Sequence, residues 1–339
     1  MVSSFLIIQT AFLGDVILAT SVVEKLHAGF PEAKIDFLLR KGNEGLLLDH
    51  PFIREVIILD KKKNKIKNLF NIALKVRRKK YDRIINLHRF GSSGFITWLS
   101  GSKEKIGFDK NPFSFCFTKK VKHEIGNGKH ETERNLELIK DFTDEKMVNP
   151  KLYPSEKDFA SVKKLTVNYP QSNDNYICIA PASVWFTKQF PKEKWIELVN
   201  SFKKNISVFL LGATSDLTLC EEIKSGLKNQ NITVKNLAGK LSLLETAALM
   251  QKAQMNYVND SAPLHIASAM NAPVTAIFCS TIPDFGFGPL SASSRIIETK
   301  ETLDCRPCGL HGFRECPKGH FKCALTIEIN DILKDGAGN

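Results

Sequence analysis

At 339 residues, with 43% hydrophobic and 25% charged side chains, the chain carries enough apolar material for roughly two globular domains. No apolar run approaches the ~20 residues that span a bilayer, and the stretch Phe5-Leu6-Ile7-Ile8 follows no basic segment, so neither a membrane span nor a secretory leader is predicted and a cytoplasmic location is expected. A net charge of +12 narrows the partners to nucleic acid, anionic lipid or a phosphate-rich substrate.

In chain order, the first strand is predicted at 4–10 (SFLIIQT), and a helix follows over 16–27, where apolar side chains recur at helical spacing. Further strands are expected at 35–40, 55–60 and 82–88, with Pro31, Gly42, Gly45 and Pro51 marking the joins. Their continuous apolar character suits strands covered on both faces. Residues 61–80 (KKKNKIKNLFNIALKVRRKK) hold ten Lys/Arg and no acid, with Ile66, Leu69, Phe70, Ile72, Leu74 and Val76 interleaved. Two readings fit: a solvated helix beside a core stripe, or a basic amphipathic helix on an anionic membrane surface. Polar, strand-poor residues 141–174 read as a hinge. The same grammar then resumes, with strands at 175–181, 206–212, 255–260 and 273–279 and helices centred near 195, 221, 247 and 266. Two doubly wound parallel-sheet α/β units are therefore expected, with ligands just beyond the carboxyl ends of strands.

Four stretches after predicted strands carry candidate chemistry. In Gln9–Asp15, Gly14 allows a tight turn and Asp15 opens the helix, as a functional acid or simply as a cap. In the stretch from Ala180 to Pro191, Ser183 and Lys188 suit the oxygens of a diphosphate, with Lys188 a point charge for a leaving group that gathers negative charge. Gly212 and Asp216 follow the next strand, where an acid can accept hydrogen bonds from a ribose. Asp260 and Ser261 precede a helix whose first amides form an anion site, and His265 falls one turn further in. Of the eight cysteines, Cys305, Cys308, Cys316 and Cys323 crowd near the C-terminus. A structural zinc, reduced free thiols and a redox pair all remain compatible with their spacing.

These blocks, in order, resemble the lipopolysaccharide heptosyltransferases of glycosyltransferase family 9. The resemblance rests on FLGDVILAT (12–20), Pro-x-Ser followed by Lys188 and Pro191-x-x-x-Trp195, GATSD (212–216), NLAGKLSLLE (236–245), NDSAPLHIASAMNAPVTAIF (259–278) and the terminal block with Arg314-Glu315-Cys316-Pro317. It implies a GT-B fold of two facing Rossmann-like domains. An acceptor-binding domain is expected at 1–158, a nucleotide-sugar domain at 172–325, and a terminal segment, 326–339, crossing back to the first. It further implies Asp15 as catalytic base, Ser183 and Lys188 on the donor phosphates, Asp216 near the ribose, and Asp260, Ser261 and His265 around the diphosphate and sugar. The sequence departs from the family after Asp260, where Ser261-Ala262-Pro263 stands in place of a glycine-bearing turn.

The implied activity is inverting transfer of heptose from ADP-heptose to a lipopolysaccharide core/lipid A acceptor, with no metal required for catalysis. The implied setting is the cytoplasmic face of the inner membrane, touched peripherally through 61–80. Transfer of another nucleotide-sugar in cell-surface glycan synthesis is one alternative, and a non-catalytic basic protein that binds nucleotides or anionic surfaces is another. A dinucleotide-dependent enzyme is disfavoured because QTAFLGD has a single glycine where G-x-G-x-x-G is needed. Nucleic acid is disfavoured because no recognition motif accompanies the charge.

Overall fold

A computed structural model describes residues 3–167, 176–202, 206–229 and 231–334, and the chain divides into two compact units, Met1–Tyr153 and Pro154–Asn339. In the first unit, strands β1 (Ser4–Ile8), β2 (Lys34–Arg40), β3 (Glu55–Leu59), β4 (Arg83–Asn86), β5 (Glu104–Phe108) and β6 (Lys119–Val121) pair in parallel in the order β3-β2-β1-β4-β5-β6. Helices α1 (Leu13–Gly29), α2 (Lys65–Lys79), α3 (Gly91–Leu99) and α4 (Glu131–Glu137) connect and cover them. Phe5 to Ile8 and Val16 to Ala19 are fully buried, as a central strand and the helix lying on it require.

The second unit opens with α5 (Glu156–Thr166) and continues β7 (Tyr176–Ala180), α6 (Lys192–Asn200), β8 (Ile206–Leu210), α7 (Leu217–Ser225), β9 (Ile232–Asn236), α8 (Leu243–Lys252), β10 (Met255–Asn259), α9 (Ala262–Ala269), β11 (Val274–Phe278), β12 (Ser294–Glu298), α10 (Lys322–Leu325) and α11 (Ile329–Leu333). Its parallel sheet runs β12-β11-β10-β7-β8-β9. Counted from its own first strand, this is the order of the first sheet. In each unit the chain winds outward for three strands, then returns to the far side of the first strand. The carboxyl ends part at that return, between β1 and β4 and between β7 and β10, and such a switch point is where doubly wound sheets bind ligands.

All of the predicted strands are present; seven are trimmed at one or both ends, and β2 begins one residue earlier than expected, at Lys34. Four others, β5, β6, β9 and β12, escape the apolar pattern because they are short and charged: EKIGF, KKV, ITVKN and SRIIE. Three of these are sheet edges, where charge discourages unwanted pairing.

The expected hinge needs correction. Residues 156–166 form α5, started by a capping box in which Ser155 N donates to Asp158 Oδ2 at 2.7 Å, and α5 packs on α8. The first unit accordingly ends at Tyr153 rather than at 158. Residues 168–175, which include the rest of the hinge and the start expected for the second domain at 172, lie outside the described residues, as do 335–339 of the terminal segment. That segment was expected to return to the first unit. Instead α11 packs on α6, with Ile329 and Ile332 buried in the second unit's core, and Arg295 fastens it through the carbonyls of Asp331 and Ile332. Among the described residues no helix is long and apolar enough to cross a membrane.

Candidate active site

At the first switch point, Asp15 stands in the opening turn of α1, where its Oδ2 accepts a hydrogen bond from Phe12 N at 3.1 Å. Gly14 lies inside that same helical turn rather than in a tight bend ahead of it, so its expected role as a turn glycine is corrected. The cap explains one acceptor site of Asp15 but not its electrostatics. Burial pushes the carboxyl up to about 6, and the nearby Glu131 carboxylate pushes the same way against the local amides and Arg89. Glu131 keeps its own charge. Burial favours its neutral form, but His123 and Arg134 outweigh that, with Arg134 Nε 2.8 Å from Glu131 Oε2. The packing of α4 on α1 thus sets a fixed negative charge beside Asp15.

Cations surround this end of the sheet. Lys61 Nζ donates to Thr10 O at 2.8 Å and to Thr10 Oγ1 at 3.0 Å, and Thr10 Oγ1 lies 2.9 Å from His88 Nδ1. Lys61 can only donate, so the Thr10 hydroxyl oxygen accepts from it, and the direction of the bond between that hydroxyl and Nδ1 follows the tautomer of His88. Burial, reinforced by Lys61, Arg89 and Arg40, holds His88 down at about 3, so the ring is neutral. Lys61 itself is lowered to about 8 by burial and by Arg40 and Lys65. Arg40 also covers the exposed Phe12 ring, 4.9 Å from its centroid.

At the second switch point, Lys188 ends a 3-10 turn (Phe186–Lys188) after β7, and its Nζ lies 2.6 Å from Asp260 Oδ2 at the end of β10. Thr281 Oγ1 donates to the same oxygen at 2.6 Å. Asp260 is thereby an anchor for the lysine rather than an open group awaiting an anion. Asn259 ties the two strand ends together, accepting from Phe190 N at 3.0 Å and donating to Pro181 O at 2.7 Å. Ser183 holds the loop through its carbonyl, which accepts from Gln189 Nε2 at 2.7 Å. Ser261 occupies the N-cap position of α9 without a side-chain cap bond, Pro263 removes one first-turn amide, and His265 is buried in the helix with its ring edge-on to Phe287.

Gly212 and Asp216 belong to the next loop over. A Cβ at residue 212 would stand 2.8 Å from Asp216 Cβ, so the glycine makes room for that aspartate and not only for a ligand. Asp216 Oδ2 in turn accepts from Ala213 N at 2.8 Å.

A family profile described as glycosyltransferase family 9 (heptosyltransferase) matches residues 69–311. The chain belongs to that family. Lipopolysaccharide heptosyltransferase 3 of Escherichia coli is 29% identical over 283 residues, covering 80% of this chain and 82% of the relative. Lipopolysaccharide heptosyltransferase 1 of Campylobacter coli is 27% identical and covers 97% of this chain and 96% of its own length. Among solved structures, the E. coli ADP-heptose LPS heptosyltransferase II superposes with a TM-score of 0.79 at 21% identity, over 98% of this chain and 96% of the other. The two-unit α/β architecture is accordingly the GT-B fold of this glycosyltransferase family.

Family membership also gives the cysteine-rich block a place. Cys305, Cys308, Cys316 and Cys323 line one cavity of about 410 Å³ together with Thr187 and His320. All the cysteines are free thiols, and among the described residues no group of three or more His, Cys, Asp or Glu is placed to hold a metal ion. Mutual repulsion adds to burial in keeping Cys308 and Cys323 protonated, Cys323 up to about 11. What the block visibly does is buttress the Lys188 loop: Phe313 N donates to Thr187 Oγ1 at 2.8 Å, and Thr187 N donates to Phe313 O at 3.1 Å.

Sequence reasoning missed Thr10, Lys61, His88, Glu131 and Thr281. His88 and Thr10 were within reach, since both end predicted strands that flank the switch point. Glu131 had no local signal, because its role comes from the packing of α4 on α1.

Proposed function

We propose that this enzyme transfers heptose from ADP-heptose to a lipopolysaccharide inner-core acceptor, with inversion and without a catalytic metal. The observation that carries the mechanism is the half-buried Asp15 carboxyl, raised to about 6 at the first unit's switch point. A base with that affinity is mostly ionised near neutral pH and still takes up a proton readily.

In the reaction, Asp15 accepts the proton of the acceptor hydroxyl while its oxygen bonds to the anomeric carbon. The bond from that carbon to the donor phosphate breaks on the opposite face, and the electron pair leaves with ADP. Lys188, held in place by Asp260, neutralises charge gathering on the departing diphosphate, and Ser183, Ser261 and the opening amides of α9 add hydrogen bonds. Gly212 and Asp216 approach the ribose, and His265 shapes the sugar side of the pocket. The first unit is the acceptor side, where Arg40, Lys61 and Arg89 suit an acidic substrate. The second unit is the donor side. No step in this scheme runs through a metal ion.

The reading is supported by the names of the relatives, which are lipopolysaccharide heptosyltransferases, and by the solved ADP-heptose enzyme of the same fold. The test is a donor screen in the presence of chelator, following nucleotide diphosphate release from ADP-heptose, UDP-sugars and GDP-sugars with lipopolysaccharide core as acceptor. Rapid release from ADP-heptose alone, with inverted anomeric configuration in the product, is expected. A preference for a UDP-sugar, or loss of turnover with chelator, would defeat the donor assignment or the metal-free assignment respectively.

A further inference from the structure

Helix α2 carries two apolar stripes, and only one has a use inside the unit. Leu69, Ile72, Ala73 and Val76 pack into the core. Ile66, Phe70 and Leu74 lie one turn apart on a second line, about a quarter turn round the helix, and are 81%, 50% and 39% exposed. The exposed line continues off the helix. Phe70 meets Phe95 of α3 at 5.9 Å, Phe95 meets Trp98 and Phe113 at 6.1 Å each, and Phe113 meets Phe115 at 5.8 Å. Trp98 is 46% exposed and Phe115 68% exposed, so the track presents large rings to the outside along its length. Scattered exposed apolar residues need no explanation, but a contiguous aromatic patch does.

Charge identifies what covers it. Exposed Lys62, Lys63, Lys65 and Lys67 surround the start of α2, exposed Arg77, Arg78 and Lys80 its end, and residues 61–80 contain no acid. A second copy of the chain would bring the same cations face to face across a two-fold contact. Nucleic acid would satisfy the cations and leave the rings in water.

We propose that this face docks on an anionic lipid bilayer, with Phe70, Trp98 and Phe115 entering the headgroup layer and the α2 lysines engaging lipid phosphates. Aromatic side chains favour that interface and clustered cations add attraction to acidic lipid. Placement agrees with the candidate chemistry. Helix α3 leads from Phe90, whose ring is 4.9 Å from that of His88 at the switch point, to Trp98 in its last turn, a span of about 12 Å. An acceptor rooted in the bilayer would therefore present its sugar within reach of Asp15. This deepens the proposed reading of a lipid-anchored acceptor, and its test does not depend on turnover.

The experiment sediments the full chain with vesicles of phosphatidylglycerol in phosphatidylcholine and with phosphatidylcholine alone. Binding is expected only to the anionic vesicles and should weaken with salt. Combining Phe70→Ser, Trp98→Ser and Phe115→Ser should reduce it by about tenfold or more, as should changing Lys62, Lys63 and Lys67 together to Gln. Both variants should turn over a water-soluble, deacylated acceptor at the wild-type rate and a vesicle-embedded acceptor in proportion to their binding. Undiminished vesicle binding by either variant would overturn the proposal, as would equal binding to neutral vesicles or a solution dimer that Phe70→Ser dissociates. If the wild type binds anionic vesicles but transfers no heptose to any acceptor, the functional reading fails and the docking surface stands.

Discussion

The two switch points share a strand order and differ in almost everything chemical. At the first, a carboxyl is held part-protonated near pH 6 by burial and by Glu131, with Lys61, Arg40 and Arg89 close at hand. At the second, the charged groups are already matched, Lys188 to Asp260, beside the Ser261 hydroxyl and the first amides of α9. The sheet supplies an address in both cases, and the loops decide which charged side chains are delivered there.

The sharpest way to break this contrast is Asp15→Asn. It preserves the shape of the α1 start and removes the base, so kcat should fall about a thousandfold, within the range typical of general base catalysis. Donor affinity, read by calorimetry, should barely change. Turnover above a tenth of wild type would end the assignment of Asp15.

Next in size is Lys188→Ala, expected to cost about a hundredfold in kcat/KM through lost charge stabilisation of the leaving group. It also strands Asp260, whose side chain is only 7% exposed, and should lower stability by about 3 kcal/mol. Pairing Lys188→Met with Asp260→Asn separates the two effects. Stability should return because no charge is left alone, while activity should stay low. Recovery of activity in that double variant would make Lys188 structural only.

The pH profile sharpens the first site. In the proposed mechanism Asp15 acts when deprotonated, so the rate should be flat above about pH 6 and fall tenfold per unit below it. Glu131 raises the affinity of Asp15 for its proton, so Glu131→Gln should move the break to lower pH, and an unmoved break would remove Glu131 from the site's electrostatics. The smallest effect is expected for Asp216→Ala, which forfeits the bond from Ala213 N, worth about 1 kcal/mol. A loss in kcat/KM of more than about tenfold would show a direct donor contact stronger than a single neutral hydrogen bond provides.

Much of this is legible in the sequence alone. Buried central strands such as FLII and YICIA announce themselves because a strand covered on both faces has nothing polar to show. Asp15, Lys188 and Asp260 were found because they follow such strands. What stayed hidden depends on contacts between distant segments. The charged edge strand SRIIE looks like a loop, α5 looks like linker because its buried face is narrow, and α11 stays with its own unit for reasons visible only once Arg295 is seen holding its carbonyls. The role of Asp260 as an anchor, too, is a property of the pair and not of either residue.

Gly312 sits with φ +76°, and a methyl group placed there would come within 2.8 Å of Thr187 Oγ1 and 3.0 Å of Lys188 Cγ. The bare α-carbon of a residue far along the chain is thus the back wall against which the lysine's hydrocarbon stem rests. Evolution or an engineer could retune the reach of that ammonium group by remodelling this wall, leaving Lys188 and its partner Asp260 untouched.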